Sequence, residues 1–520
     1  MTLGRAPQQA NLLSSSSDFC RQHLPTSSLY SLLEQQSHRI FPDDDFADLF
    51  QDVGRRSIPP RIVAVVMVLQ RIEGLSDREA VDRFGFDLRW KFAAGGLDYD
   101  YPSFSHTVLV DMRERLRRSE RPDRIFEAVL QVCEQAGLVG RRRVLDSTAL
   151  YDAVATQDTV TLIRSAIRGL LREAAPALEE QLRGVLERDD DYRQPGKPAC
   201  AWDDKEAREA LVDELARDGY AALAYMDGLK LEPKVAEAAK LLSTVVGQDL
   251  EQTEDGTFRI ARKVAADRVI STVDPDARHG RKTAARSFDG FKGHIAADPD
   301  SEIITASDVT PGNVGDGQAA GPLLDEAIEQ ARSQGDDQEP VEVFGDASYG
   351  TSEIVEELEA QGIEPFVKVQ AATPPRKGLY SKDRFDVDLE AQTVRCPANQ
   401  LVQIRKVNAA NEVVGRADFG KHCNDCPQRD KCTDSKAGRT IRIHRSEETL
   451  QRQRRLQQSE DWKVHYRSTR PKVERKIAHL MKRKHGGRRV RVRGLERVRA
   501  DFALLCAAVN LQRLAVLGVS

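Results

Sequence analysis

Residues 465–476 read HYRSTRPKVERK, with one acid, Glu474, among five Lys and Arg. Pro471 suits the first turn of a helix, so RPKVERKIAHLMKRK is expected to be helical from there on. Arg467, Arg470 and Glu474 then fall at i, i+3 and i+7, on one face with Ile477, Ala478 and Met481. A glutamate on a partly apolar face is expected to point toward the core, where a lone charge is costly unless paired or metal-bound. Two readings follow. Arg470, four residues earlier, can form a salt bridge with Glu474. Alternatively, Glu474 completes a set of metal-binding carboxylates and Arg470 holds a DNA phosphate beside it.

The surroundings of Glu474 are strongly basic. From Arg439 to Arg499 there are 21 Lys and Arg against 6 Asp and Glu, in a chain of 520 residues with a net charge of −4. A run of one sign is often only solvated surface. Here Val464, Val473, Ile477, Leu480, Leu495 and Val498 recur at helical spacing, which favours folded helices. A folded basic tract points to a polyanion, most often nucleic acid. The composition, 40% hydrophobic and 31% charged, is that of a globular chain. The longest clean apolar run, IVAVVMVL (62–69), is far short of the ~20 residues that span a bilayer. The start, MTLGRAPQQANLLSSSSDF, lacks the basic-then-apolar layout of a signal peptide. The expectation is a cytoplasmic, nucleoid-associated protein with no membrane partner.

Along the chain, residues 1–39 are Ser- and Gln-rich and read as a flexible N-terminus. Residues 40–140 read as a helical N-terminal domain and a candidate DNA-binding unit. In it, IPPRIVAVVMVLQRI is followed by Gly74 and by a Ser76-x-x-Glu79 capping box, a pattern compatible with a helix-turn-helix. Arg113, Arg115, Arg117 and Arg118 cluster at a later helix end. In 141–520, a short strand Arg143–Leu145 is expected to end at Asp146, and PVEVF at Asp346. Residues 158–250 read as a helical insertion. The segments RIARKVAADRVISTVDPDAR, FDGFKGHIAAD, EIITASDVTPGN and IEPFVKVQ read as further strands, which makes the order mixed α/β.

Strand ends are rigid platforms, and carboxylates there can share a divalent cation. A strand-end Asp is more often a cap of the next turn. Asp274, Asp276, Asp289 and Asp316 are rival acids; DPD reads as a turn and Asp316 as a helix start. A second candidate metal centre lies in a cysteine-containing insertion, 376–440. Cys423-x2-Cys426, Cys432 and the upstream Cys396 supply four soft ligands for one structural Zn²⁺, against four plain thiols. His422 and His444 can replace a cysteine.

In this order, VLDSTAL, FGDASYG and HYRSTRPKVERK resemble the three catalytic blocks of bacterial insertion-sequence DDE transposases. PPRIVAVVMVLQRIEGLSDREAVDRFGFDLRWKFAAG, DPDARHGRKT and C-x2-CP-x4-C resemble the subgroup of eleven-eighty-two-type elements. The resemblance implies an α/β fold: a ribonuclease H-like mixed sheet with helical and cysteine-containing insertions, preceded by an all-α N-terminal domain. It implies Asp146, Asp346 and Glu474 as a triad for Mg²⁺ (or Mn²⁺). The implied partner is double-stranded DNA, as terminal inverted repeats and target, with a homodimer in the synaptic complex. The implied reaction is DNA end cleavage and strand transfer. Arg467, Arg470, Lys472, Arg475 and Lys482 are the candidate DNA contacts. The related signature has Tyr and Lys seven residues either side of the glutamate; here those positions are Arg467 and Met481, with Tyr466 and Lys482 one step away. A repurposed DNA-binding protein of the same fold and a stand-alone nuclease are the two rival readings.

Overall fold

The structure, a computed structural model, describes residues 15–51, 53–263, 265–283, 286–332, 339–407 and 413–518. Its central sheet has six strands: β1 (Arg142–Tyr151), β2 (Arg278–Thr283), β3 (Arg286–Ala297), β4 (Ile304–Pro311), β5 (Val341–Gly345) and β6 (Ile363–Val367). β1 pairs antiparallel with β3 on one side and parallel with β5 on the other. β2 and β4 follow one another along the far edge of β3, and β6 pairs parallel with β5. Half of the sheet is therefore antiparallel and built from long strands. The other half is parallel and short, because each parallel strand must be reached by a crossover.

The helix Pro60–Glu73 shows how the sequence sets the packing. Pro60 starts it, Gly74 ends it at φ 68°, and residues 62–72 are buried all round. A helix without a polar face needs neighbours on every side. Its main neighbour is the helix Leu495–Leu517, which has the length and hydropathy of a membrane span but packs against β4 and the N-terminal helices. Arg71 crosses this interface, 3.1 Å from Asp501. Asn510, fully buried, donates to the Ile304 carbonyl at 2.8 Å and accepts the Ile304 N–H at 2.9 Å. One apolar cluster thus runs from Leu29 to Ala515, and the units expected at 40–140 and 141–520 share it.

Several expectations are corrected. The stretch 1–39 is helical at Ser16–His23 and from Leu29 on, because Ser15 and Ser28 serve as N-caps and Leu32 and Leu33 join the core. Residues 1–14 lie outside the described residues. The expected strand over RIARKVAADRVISTVDPDAR shrinks to Phe258–Ile260, paired with Leu250–Gln252, before the chain loops to β2. Asp274 and Asp276 accept the Gly494 and Leu495 N–H groups at 3.0 and 2.8 Å, holding the start of the C-terminal helix. Within 158–250, four helices (Thr159–Glu173, Pro176–Val185, Lys205–Met226 and Pro233–Asp249) enclose a core of their own.

Asp274 is fully buried, and burial together with nearby Asp152 pushes its carboxyl up to about 6. As pH rises from the ordinary 3.8 through about 6, the folded chain holds a proton that the unfolded chain has released, so stability falls across that window. Asp274→Asn keeps an acceptor for Gly494. Urea unfolding on either side of the window should show wild type losing on the order of 2 kcal/mol that the variant does not lose.

Candidate active site

The last parallel pair that joins β1 and β5 is Val144 with Phe344. Asp146 and Asp346 each follow two residues later, so two strands that have just parted carry their carboxylates level with one another. Asp146 is not at a strand end as expected. β1 continues to Tyr151 against β3, and Asp146 lies opposite Ile295 in that ladder. Asp346 directly follows β5, its carboxylate accepting the Ser348 N–H at 2.8 Å. The Gly350 that closes this turn has no room for a side chain: a Cβ there would stand 1.9 Å from the Lys368 carbonyl oxygen.

The third acid arrives on a helix. Glu460–Thr469 and Pro471–Leu480 meet at Arg470, where Pro471 cannot continue the hydrogen-bond ladder. The first helix is fastened to β5: Tyr466 donates to the Gly345 carbonyl at 3.1 Å, and His465 meets the Glu342 carboxylate at 2.9 Å. Tyr466 therefore holds the residue just before Asp346. The second helix buries Val473, Lys476 and Leu480 and turns Glu474, Ile477, Ala478 and Met481 to an open cleft of about 1320 Å³. Glu474 does not point into the core as expected. Its side chain is 67% exposed on the cleft wall.

Arg470 joins the three acids. Its Nη2 lies 3.1 Å from Asp146 Oδ1 and 3.9 Å from Asp346 Oδ2, and its Nη1 lies 3.7 Å from Glu474 Oε1. The guanidinium is 8% exposed, and its Nε and Nη1 have no hydrogen-bond partner. Burial pulls the Arg470 pKa down, but Asp146, Tyr466 and Asp346 outweigh it, so the group is held charged. Burial raises the Asp146 carboxyl, and Arg470 offsets only part of that. Among the described residues, no three His, Cys, Asp or Glu side chains stand ready-placed as a metal cluster.

The other candidate residues divide. Arg467 and Lys482 are exposed. Lys472 lies 3.1 Å from Asp300, and Arg475 pairs with Glu302, so both are engaged by the turn between β3 and β4 and do not line the cleft. Asp289 pairs with His279. Asp316 is the one rival acid in the cleft, where it accepts from Ser147 Oγ at 2.7 Å and Lys292 Nζ at 2.8 Å. Sequence reading missed Lys292, Arg281, Lys282 and Arg488, the basic side chains on the cleft. Arg281, Lys282 and Lys292 stand in RHGRKT and FDGFKG, which no local rule assigns to one surface, and Arg488 was counted only as part of the basic tract. Cys396, Cys423, Cys426 and Cys432 do come together, around a separate small cavity.

Two stretches of the chain match protein-family models. Residues 395–515 match the transposase DDE domain, and residues 18–115 match the transposase domain DUF772. The first stretch contains Glu474; the second contains the buried helix Pro60–Glu73. No curated protein and no solved structure matches the chain. Both matches are to transposase domains. Together they support an insertion-sequence DDE transposase, without resolving a subgroup.

The three pairs made by Arg470 differ in weight. Removing the guanidinium strands the buried Asp146, which costs about 3–5 kcal/mol. The pair with exposed Glu474 contributes roughly 0–1 kcal/mol. Chemical denaturation should therefore rank Arg470→Met as strongly destabilised and Glu474→Gln as nearly wild type.

Proposed function

We propose that the chain is a DNA transposase that cuts at the ends of an insertion sequence and joins the freed 3′ ends to target DNA. Its catalytic carboxylates are Asp146, Asp346 and Glu474. The observation that carries this reading is their convergence, from two strands and a helix far apart in sequence, on the single guanidinium of Arg470. The order of the sheet supports a ribonuclease H-like fold: antiparallel β1, β3 and β4, then parallel β5 and β6, with one acid on the first strand and one just after β5. The N-terminal helical stretch, DPDARHGRKT and C-x2-CP-x4-C fit the eleven-eighty-two-type subgroup.

The donor set also fits a divalent cation. All three side chains offer hard oxygen ligands and already gather one positive charge, which suits Mg²⁺ or Mn²⁺. Asp146, Asp346 and Glu474 would hold the ion. When bound, it supplies activation of an attacking oxygen and charge stabilisation in phosphodiester chemistry. The chain's own part is to position. Tyr466 fixes the end of β5, and Ser147 and Ser348 N–H groups orient the two aspartates. Arg470 balances the acids before DNA arrives and is placed to meet a phosphate when it does. Arg281, Lys282 and Arg488, on the cleft, contact the backbone of double-stranded DNA. Joining two element ends calls for two such clefts, hence a homodimer in the synaptic complex.

The test incubates the purified chain with the DNA that flanks its gene, in Mg²⁺, wild type beside Glu474→Gln. Cleavage at the flanks by wild type alone is the expected result, with binding retained by the variant. Equal cleavage by both would remove Glu474 from the site. Binding without cleavage by either would favour a repurposed DNA-binding protein. Cleavage that is never followed by joining would favour a nuclease. The triple substitution Arg281→Ala, Lys282→Ala, Arg488→Ala should weaken binding and flatten its salt dependence by roughly one charge per lost contact.

A further inference from the structure

We propose that Cys396, Cys423, Cys426 and Cys432 hold one structural zinc ion and that Arg439 is its buried counter-charge. The unit that contains them spans two three-stranded sheets, Asp386–Asp388 with Thr393–Arg395 and Leu401–Gln403, and Arg405–Lys406 with Val413–Asp418 and Thr440–His444. Its buried core is nine side chains, two of them Cys423 and Cys432. So small a core gives little stability of its own, and a metal is a common supplement.

All four cysteines are free thiols, and all four line one cavity of about 20 Å³. The chain brings each there by a tight turn. Cys396 follows the strand Thr393–Arg395 and starts a turn closed by Asn399 N–H on its carbonyl at 2.8 Å, with Asn399 at φ 62°. Cys423 ends the short helix Gly420–Cys423. Backbone N–H groups are already aimed at two sulfurs: Gln400 donates to Cys396 Sγ and Arg439 to Cys423 Sγ, each at 3.4 Å.

Arg439 is the observation that four plain thiols leave unexplained. It is 6% exposed and lines the same cavity. Its Nη2 donates to the Tyr380 carbonyl at 3.1 Å and its Nη1 to the Cys432 carbonyl at 3.4 Å, while its Nε has no partner. No carboxylate acts on it among the described residues; the groups near it that can become anionic are the thiols of Cys432 and Cys423. A buried cation without an anion is costly. Neutral thiols do not supply one, and neither does a disulfide. Zinc held by four thiolates carries a net negative charge and does. As placed, the sulfurs surround the cavity without forming a ligand cluster. Binding turns them inward, replaces four S–H bonds by S–Zn bonds, releases the protons to solvent and oxidises nothing.

The experiment is elemental analysis of the full chain purified without chelator, joined to cobalt substitution. Wild type should carry close to one zinc per chain. The double substitution Cys423→Ser, Cys426→Ser should carry none, and Cys200→Ser should keep it. Cobalt in place of zinc should give the visible bands of a tetrahedral tetrathiolate, a readout on wild type that does not depend on variant folding. Arg439→Leu should lose zinc to a competing chelator with an affinity about 10- to 100-fold weaker. A folded wild type that neither holds nor takes up zinc overturns the site, as does iron or a disulfide in its place, or zinc retained in the double variant. Unchanged affinity in Arg439→Leu overturns the counter-charge. None of these outcomes depends on DNA cleavage.

Discussion

The placement of the candidate site depends on one buried guanidinium. Arg470 is nearly closed off from water, and the groups that compensate it come from β1, from the turn after β5 and from its own helix. The dependence runs both ways. Asp146 is buried enough that its charge is disfavoured, and Arg470 is the cation that makes that charge tolerable. Neither residue is stable in its place without the other, so the helix junction at Arg470–Pro471 cannot drift from the sheet. Glu474, four residues on, inherits that position.

This arrangement separates structure from chemistry among three acids that look alike in sequence. Asp146, at 14% exposure, is bound into the fold. Asp346 is 43% exposed and shared between a turn and the cleft. Glu474 stands largely in solvent, with its attraction to Arg470 screened. A side chain that contributes little to stability is free to be used for something else, and its surroundings on the cleft wall are apolar: Ile477, Ala478 and Met481.

Much of this was legible because it is local. Pro471 at a first turn, the Ser76–Glu79 capping box and the ladder of apolar positions in the basic tract are all consequences of short-range geometry, and the structure has each of them. The helical face carrying Glu474 was identified, but its direction was inverted. Which side of an amphipathic helix faces the core is settled by its partners. Here the Val473 and Leu480 side, with Lys476, faces the core, and Glu474 stands out on the cleft wall beside Ile477 and the buried Met481. Asp146 was read as a strand end because β1's hydrophobic run stops there; the antiparallel ladder with β3 carries the strand on regardless. The cleft cations Arg281 and Lys282 gave no sign in the sequence, and Arg488 could not be singled out of the basic tract, because the three meet only through the sheet's long-range pairing. Lys472 and Arg475 read as DNA contacts until Asp300 and Glu302 were seen to face them.

The packing of Pro60–Glu73 against Leu495–Leu517 has a consequence for how the protein is made. The first of these helices is synthesised early; neighbouring N-terminal helices cover part of its apolar surface, but the face that meets Leu495–Leu517 waits for a segment more than four hundred residues downstream. Until that segment leaves the ribosome, the nascent chain carries that one apolar face uncovered. Contacts of such long sequence separation form slowly, and chains waiting for them are vulnerable to aggregation and to chaperone capture. β4 itself is covered only when the last helix has docked across it. A ribosome that stalls before that helix therefore yields a polypeptide for proteolysis, not a folded protein.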